Sequence, residues 1–163
     1  MVSQIHFSSP TFIGVNFKYK MLDFSSKKVK IQLWDTAGTD HSNPLLKIYY
    51  KKAMGIVLVF SLEDSQSFHN IHTWMHYLQT HLHPNAIVIL VGNKCDLSKR
   101  AVDAKEIKNL QQKYNIERYI ETSAKDASNV NETFTELVQE VKNRIDNGMF
   151  KAEESPSSKS SSQ

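Results

Sequence analysis

The first forty residues alternate apolar and polar side chains in a way that is typical of β-strands. Residues 12–24, FIGVNFKYKMLDF, are rich in strand-forming side chains. In residues 29–37, VKIQLWDTA, apolar residues alternate with Lys30 and Gln32. The intervening residues 25–28, SSKK, have the composition of a turn. This pattern predicts an antiparallel hairpin.

Further along the chain, strand patterns alternate with helix patterns. GIVLVFSL at 55–62 and AIVILVGN at 86–93 are continuous apolar runs of strand length, and RYIETSA at 118–124 is a weaker third. Apolar residues at helical spacing follow each strand, namely Phe68, Ile71, Met75, Leu78 and Leu82, then Ile107, Leu110 and Tyr114, then Val130, Phe134, Leu137, Val141 and Ile145. The alternation predicts an α/β fold with a mostly parallel sheet and right-handed crossovers.

Composition and charge narrow the functional classes. With 163 residues, the chain fits one globular domain, and its 20 basic and 17 acidic residues are well mixed, which argues against nucleic acid as a partner. Cys95 is the single cysteine, which excludes an internal disulfide. No apolar run approaches the ~18 residues of a transmembrane helix, and the start of the chain does not resemble a secretory signal. We therefore expect a cytoplasmic protein.

Polar residues follow the apolar runs where the strands of a parallel sheet would end, and this is the edge at which such sheets bind ligands. They are Asp35 to Gly38, Ser61, Asn93 to Asp96 and Thr122 to Lys125. The Asp96 carboxylate can accept hydrogen bonds from the N1–H and the exocyclic amine of guanine, whereas adenine would leave it unpaired.

Other residues of the same motif complement this chemistry. Asn93 can join neighbouring loops, the aliphatic stem of Lys94 can cover the face of a base, and a backbone amide near Ala124 can meet the guanine carbonyl. The alternative interpretation of NKCD is a plain loop that closes a strand. Its position after an apolar strand, with ETSAK after the next strand, favours guanine binding.

The segments IGVNF, KIQLWDTAG, YYKKAMGIVLVF, VGNKCDL and ETSAK occur in an order and at spacings that resemble the Rab branch of the Ras-like small GTPases, over residues 12 to about 147. The resemblance implies a P-loop NTPase-like α/β fold with helices on both faces of a mostly parallel sheet. It also implies a guanine-nucleotide switch in vesicle traffic that uses GTP, GDP and Mg²⁺. The implied partners are effectors, an exchange factor and an activating protein.

The resemblance assigns roles to individual residues. Asp35 matches the acid that holds Mg²⁺ through water, and the amide of Gly38 matches the sensor of the third phosphate. Base recognition falls on Asn93, Lys94, Asp96, Ser123, Ala124 and Lys125. An effector surface falls on the aromatic residues Phe17, Trp34 and Tyr49, for which ordinary core packing is the alternative.

The sequence departs from the family at its amino end. None of the five glycines begins the phosphate-binding pattern G-x-x-x-x-G-K-[ST]. We therefore expect the family's first strand, phosphate loop and first helix to be missing, with residues 1–11 as a residual segment, 12–147 as a truncated domain and 148–163 as a disordered Ser-rich tail. That strand would lie between the strands predicted at 29–37 and 55–62. Its place could be taken by residues 2–7, by a partner strand or by a rearranged sheet.

Two further departures concern activity and anchoring. Thr39 stands where the family has the glutamine that orients the attacking water, so we expect very slow GTP hydrolysis. The carboxyl terminus has no cysteine for prenylation, so contact with endomembranes would depend on partners. Three hypotheses stay open: an impaired nucleotide switch, a nucleotide-free binding module for trafficking partners, and an incomplete gene product.

Overall fold

The structure, a computed structural model, describes residues 15–24, 27–36 and 44–150. Strands and helices alternate after an initial hairpin, which confirms the predicted α/β class. The elements are β1 (Val15–Phe24), β2 (Lys27–Thr36), α1 (Pro44–Lys52), β3 (Gly55–Ser61), α2 (Ser65–His81), β4 (Ile87–Asn93), α3 (Ala104–Tyr114), β5 (Arg118–Glu121) and α4 (Val130–Asp146). Within these ranges, none of the helices combines the length and apolar character needed to cross a membrane.

Strands β1 and β2 form the predicted antiparallel hairpin. Phe17 stands opposite Trp34, and the pairing continues as far as Phe24 and Lys27. The turn is therefore shorter than the predicted residues 25–28. Short connections are favoured in hairpins because their twist matches the twist of the paired strands.

Strands β3, β4 and β5 form a parallel sheet in that order. Ser61 lies beside Asn93, and Gly92 lies beside Glu121, so the carboxyl ends of the three strands meet at one edge. Across the described residues, β2 and β3 belong to separate sheets. Residues 2–7, which we considered as a strand between them, lie outside those residues.

Helices lie on both faces of the parallel sheet. They cover β4 on both sides, which explains its continuous apolar run, whereas Val59 of β3 is 52% exposed. On one face, α2 and α3 share a core that includes Leu58, Phe60, Phe68, Ile71, Leu78, Leu90, Ile107 and Leu110. On the other face, Leu137 of α4 packs against Ile87, Ile89 and Val91 of β4. Helix α4 also approaches β3 closely, since a Cβ atom added to Gly55 would lie 2.7 Å from Leu137 Cδ1.

Helix α1 did not emerge from the sequence pattern. It begins at Pro44, a residue that favours the first helical position. Of its described apolar side chains, Ile48 is 59% exposed whereas Tyr50 is buried. Tyr50 joins α1 to α2 through an edge-on ring contact with Tyr77, with centroids 5.8 Å apart.

Ordered packing continues past the boundary that we expected at residue 147. Phe150 is buried, and its ring lies 5.0 Å from that of His83. The side-chain amide of Asn85 donates to the Met149 carbonyl at 2.7 Å. These contacts join the end of α4 to the loop before β4.

Candidate functional site

The loops that follow β4 and β5 are joined by backbone hydrogen bonds. The Thr122 amide donates to the Gly92 carbonyl at 2.9 Å, and the Cys95 amide donates to the Thr122 carbonyl at 3.0 Å. Parallel strands that are neighbours end at the same edge, and these bonds continue their pairing into the loops. The two predicted base-recognition motifs therefore lie side by side.

Asn93 joins the two loops, as its chemistry predicts. Its Oδ1 atom accepts from the Ala124 amide at 3.1 Å and from Thr122 Oγ1 at 3.3 Å. The first of these bonds uses the amide that we expected at the guanine carbonyl. A bound base would have to share or replace it.

Asp96 faces the second loop. Its Oδ1 atom accepts from Ser123 Oγ at 2.7 Å, and its Oδ2 atom lies 3.9 Å from Lys125 Nζ. The Asp96 side chain is 15% exposed, and Ser123 is fully buried. Ser123 thus orients a shielded carboxylate, which is the acceptor that the N1–H and amine edge of guanine requires.

Lys94 holds an unusual backbone conformation between Asn93 and Asp96. Its φ of 66° lies in the left-handed region. Its ammonium group forms an ion pair with Glu63, which lies in the loop between β3 and α2. Glu63 was not predicted as a site residue, and it fixes the end of the Lys94 side chain beside the two loops.

A cluster of three polar side chains lies at the outer side of these loops. The Arg100 guanidinium donates two hydrogen bonds to the Glu121 carboxylate, at 2.7 and 2.6 Å, and Tyr119 Oη donates to Glu121 Oε1 at 3.0 Å. Hydrogen bonding from Arg100 lowers the pKa of Glu121 despite its partial burial. Sequence reasoning did not single out this cluster, because Arg100 and Glu121 are 21 residues apart.

Cys95 lies between Lys94 and Asp96 and is half-buried. Partial burial raises the pKa of its thiol, and the carboxylates of Asp126, Glu121 and Asp96 raise it further. The thiol therefore stays protonated at neutral pH.

Phe17, Trp34 and Tyr49 form one continuous aromatic surface. The Phe17 and Trp34 ring centroids are 4.5 Å apart, as are those of Trp34 and Tyr49. Phe17 is 44% exposed and Trp34 is 43% exposed, so neither is an ordinary core residue. The hairpin and α1 together bring the three rings into contact, and Tyr49 is half-buried against the core.

The predicted phosphate and metal residues are only partly described. Asp35 is exposed near the end of β2, whereas Gly38 and Thr39 lie outside the described residues. No group of three His, Cys, Asp or Glu side chains in the described ranges could hold a metal ion. Mg²⁺ usually keeps several waters and is held by one or two carboxylates together with substrate phosphates, so the role of Asp35 stays a prediction.

Comparisons with known proteins agree with this geometry. A model of the Ras family matches residues 3–143. The chain is 38% identical to Ras-related protein Rab-8B of Dictyostelium discoideum, over 84% of this chain and 69% of the relative. It is 39% identical to Ras-related protein RAB1BV of Beta vulgaris, over 90% of this chain and 69% of the relative. It is 42% identical to Ras-related protein SEC4 of Saccharomyces cerevisiae, over 83% of this chain and 63% of the relative. The chain therefore belongs to the Ras family and is a Rab-type small GTPase.

Proposed function

We propose that this chain binds GDP and GTP and acts as a Rab-type switch protein in vesicle trafficking. The observation that carries the proposal is the joining of the two base-recognition loops, in which Ser123 orients the Asp96 carboxylate.

The residues around Asp96 would divide the recognition of the base. The Asp96 carboxylate would accept from the N1–H and the exocyclic amine of guanine, which adenine cannot match. Asn93 would hold the two loops at the right separation through its bonds to Ala124 and Thr122. Lys94, fixed at its far end by Glu63, would cover one face of the ring with its aliphatic stem.

An exchange of Asp96 for Asn tests this assignment. Asn offers one acceptor and one donor, so it matches the N1–H and C2 carbonyl of xanthine and loses the guanine amine. We expect Asp96→Asn to weaken GDP binding by about 100-fold or more, since a hydrogen bond to a charged group is lost and a donor faces a donor. The variant should gain affinity for the xanthine nucleotide.

Asp103→Asn is the matched control. Asp103 caps α3, and Asn caps helices as well as Asp does, so this variant should bind GDP like the wild type. Binding is measured by calorimetry with GDP, the xanthine analogue and ADP. Nucleotide that co-purifies with the protein is quantified after denaturation. A folded wild-type chain that carries no guanine nucleotide and binds none would contradict the proposal.

We also propose that hydrolysis of bound GTP is very slow. Thr39 is shorter than glutamine by a methylene and lacks the amide that both accepts from water and donates to phosphate. Single-turnover hydrolysis should rise in a Thr39→Gln variant whose GTP affinity is unchanged. A wild-type rate typical of the family that rises further with an activating protein would refute this.

A second candidate function, a binding module that works without nucleotide, is favoured by the exposed aromatic surface of Phe17, Trp34 and Tyr49. Exposed aromatic rings such as those of Phe17 and Trp34 are common anchors of protein interfaces. Under this hypothesis, a Rab effector domain binds the chain equally with GTP, with GDP and after nucleotide removal. The switch hypothesis requires stronger binding with GTP. Trp34→Ala should abolish the interaction in both cases.

A further inference from the structure

We propose that Arg100, Tyr119 and Glu121 form a clamp that fixes the distance between the two base-recognition loops and thereby slows the release of guanine nucleotide. The nucleotide part of this inference rests on the proposed function. These three are positioning residues, since they would act on the base through Asp96 and Ser123.

Glu121 is the centre of the clamp, because it contacts both loops. Its carboxylate receives two hydrogen bonds from Arg100, which lies four residues after Asp96 in the loop that follows β4. Its backbone carbonyl accepts from Asn129 Nδ2 at 2.8 Å, at the far end of the loop between β5 and α4. In sequence, Ser123 lies between Glu121 and Asn129, so both ends of its loop segment are held.

Tyr119 orients the Glu121 carboxylate through the hydrogen bond from its hydroxyl. Both residues lie on β5, and alternate residues of a strand point to the same face. The Tyr119 hydroxyl passes over β4 at Gly92, where an added Cβ would lie 2.6 Å from it. Burial raises the pKa of Tyr119, and the nearby Glu121 charge raises it further. The hydroxyl therefore keeps its proton and donates to Glu121 across the neutral pH range.

The position of the clamp points to recognition more than to stability. Ion pairs with exposed side chains contribute little to folding, and the Arg100 side chain is 45% exposed. A bidentate guanidinium–carboxylate pair nevertheless fixes geometry, because both hydrogen bonds must align. One end of the pair is four residues from Asp96, and the other is two residues from Ser123. A small displacement at the clamp would therefore change the Asp96–Ser123 contact.

The first measurement is the dissociation of a fluorescent GDP analogue from the full-length chain, displaced by excess GDP. Arg100→Gln and Glu121→Gln should each speed dissociation about tenfold, because truncating one partner of such a pair acts mainly on the off-rate. Arg100→Lys keeps the charge but loses the bidentate guanidinium geometry. Its dissociation rate should therefore lie between the rates of the two Gln variants and the wild-type rate. The charge-reversed double variant Arg100→Glu/Glu121→Arg should recover only part of the wild-type rate, because the Tyr119 hydroxyl loses its carboxylate acceptor. Association rates should not change.

The second measurement does not need bound nucleotide. Amide hydrogen exchange in the nucleotide-free chain should be faster at Cys95 and Ala124, whose amides join the two loops, in both Gln variants. This result would support the clamp even if the chain binds no guanine nucleotide, so the failure of one proposal is distinguishable from the failure of the other.

Lys142→Gln is the matched control, since it breaks a comparable ion pair with Asp146 on α4, away from the recognition loops. It should leave both measurements at wild-type values. If Arg100→Gln does not fold, Arg100→Lys supplies the same comparison with the charge retained. Unchanged exchange at Cys95 and Ala124 in the clamp variants, or equal acceleration of all amides, would overturn the proposal.

Discussion

Replacing Asp96 by Ala would remove the acceptor of a hydroxyl that the chain buries completely. Ser123 has no exposed surface, and its Oγ atom donates to Asp96 Oδ1 at 2.7 Å. The Ser123 Oγ atom in turn accepts from the Lys125 amide at 3.2 Å and from the Asp126 amide at 3.4 Å. Asp96 therefore supports the second loop as well as the proposed base contact.

The expected cost follows from these contacts. A buried donor without a partner costs about 1–3 kcal/mol, so Asp96→Ala should lower the free energy of unfolding by about 2 kcal/mol. Asp96→Asn keeps an oxygen acceptor for Ser123 and should cost less than about 1 kcal/mol. Ser123→Ala loses the acceptor of two backbone amides and should cost about 1–2 kcal/mol.

The double variant Asp96→Ala/Ser123→Ala distinguishes the energy of the Asp96–Ser123 contact from the other effects of the two single substitutions. With the hydroxyl gone, no donor is left without its carboxylate, so the double variant should be about 1 kcal/mol more stable than the sum of the single effects predicts. Urea unfolding followed by circular dichroism measures this. With a slope of about 2 kcal/mol per molar urea, Asp96→Ala should shift the midpoint by about 1 M. Equal midpoints for Asp96→Ala and Asp96→Asn, or strictly additive effects, would refute the reasoning.

Three further predictions concern neighbouring features. Gly92→Ala should cost about 1–3 kcal/mol in urea unfolding, because the new methyl would meet Tyr119 Oη at 2.6 Å, and Tyr119→Phe should relieve part of that cost. Asp103→Ala should cost about 0.5–2 kcal/mol by removing the reciprocal capping bonds with Glu106, and an unchanged midpoint would contradict this. The lowered pKa of Glu121 stabilises the fold above the ordinary glutamate pKa of about 4.3, and this contribution disappears as the pH falls through the lower folded value. Acid unfolding of Glu121→Gln should accordingly depend less steeply on pH below about 4.3, and a slope equal to that of the wild type would contradict the role of Arg100.

Local periodicity was sufficient to predict most of the fold. The alternation around Lys30 and Gln32 gave the hairpin, and the continuous apolar runs gave β3 and β4, because burial on one face or on both faces leaves a direct trace in the sequence. Helix α1 left no such trace, since its exposed Ile48 and buried Tyr50 are only two residues apart. The separation of the hairpin from the parallel sheet depends on tertiary pairing, which no local pattern encodes.

The sequence predicted which residues meet at the candidate site, but it did not predict the side-chain pairs that they form. Asn93 and Asp96 follow a strand whose end faces the end of β5, so topology alone brings them together with Ser123. The Lys94–Glu63 and Arg100–Glu121 pairs depend on rotamers and on the paths of loops that are 31 and 21 residues apart in sequence. The roles of Gly38 and Thr39 stay predictions, because these residues lie outside the described part of the chain.

At Lys94, the left-handed backbone conformation favours glycine, whereas the contact with Glu63 and the proposed base contact require a lysine side chain. Non-glycine residues in this region cost about 1–2 kcal/mol, because Cβ crowds the following carbonyl. With a φ of 66°, glycine would fit the backbone of this position better. Glycine would also remove the stem and the ammonium group that reaches Glu63. Lys94→Gly should therefore relieve the backbone strain and at the same time weaken the proposed recognition of the base.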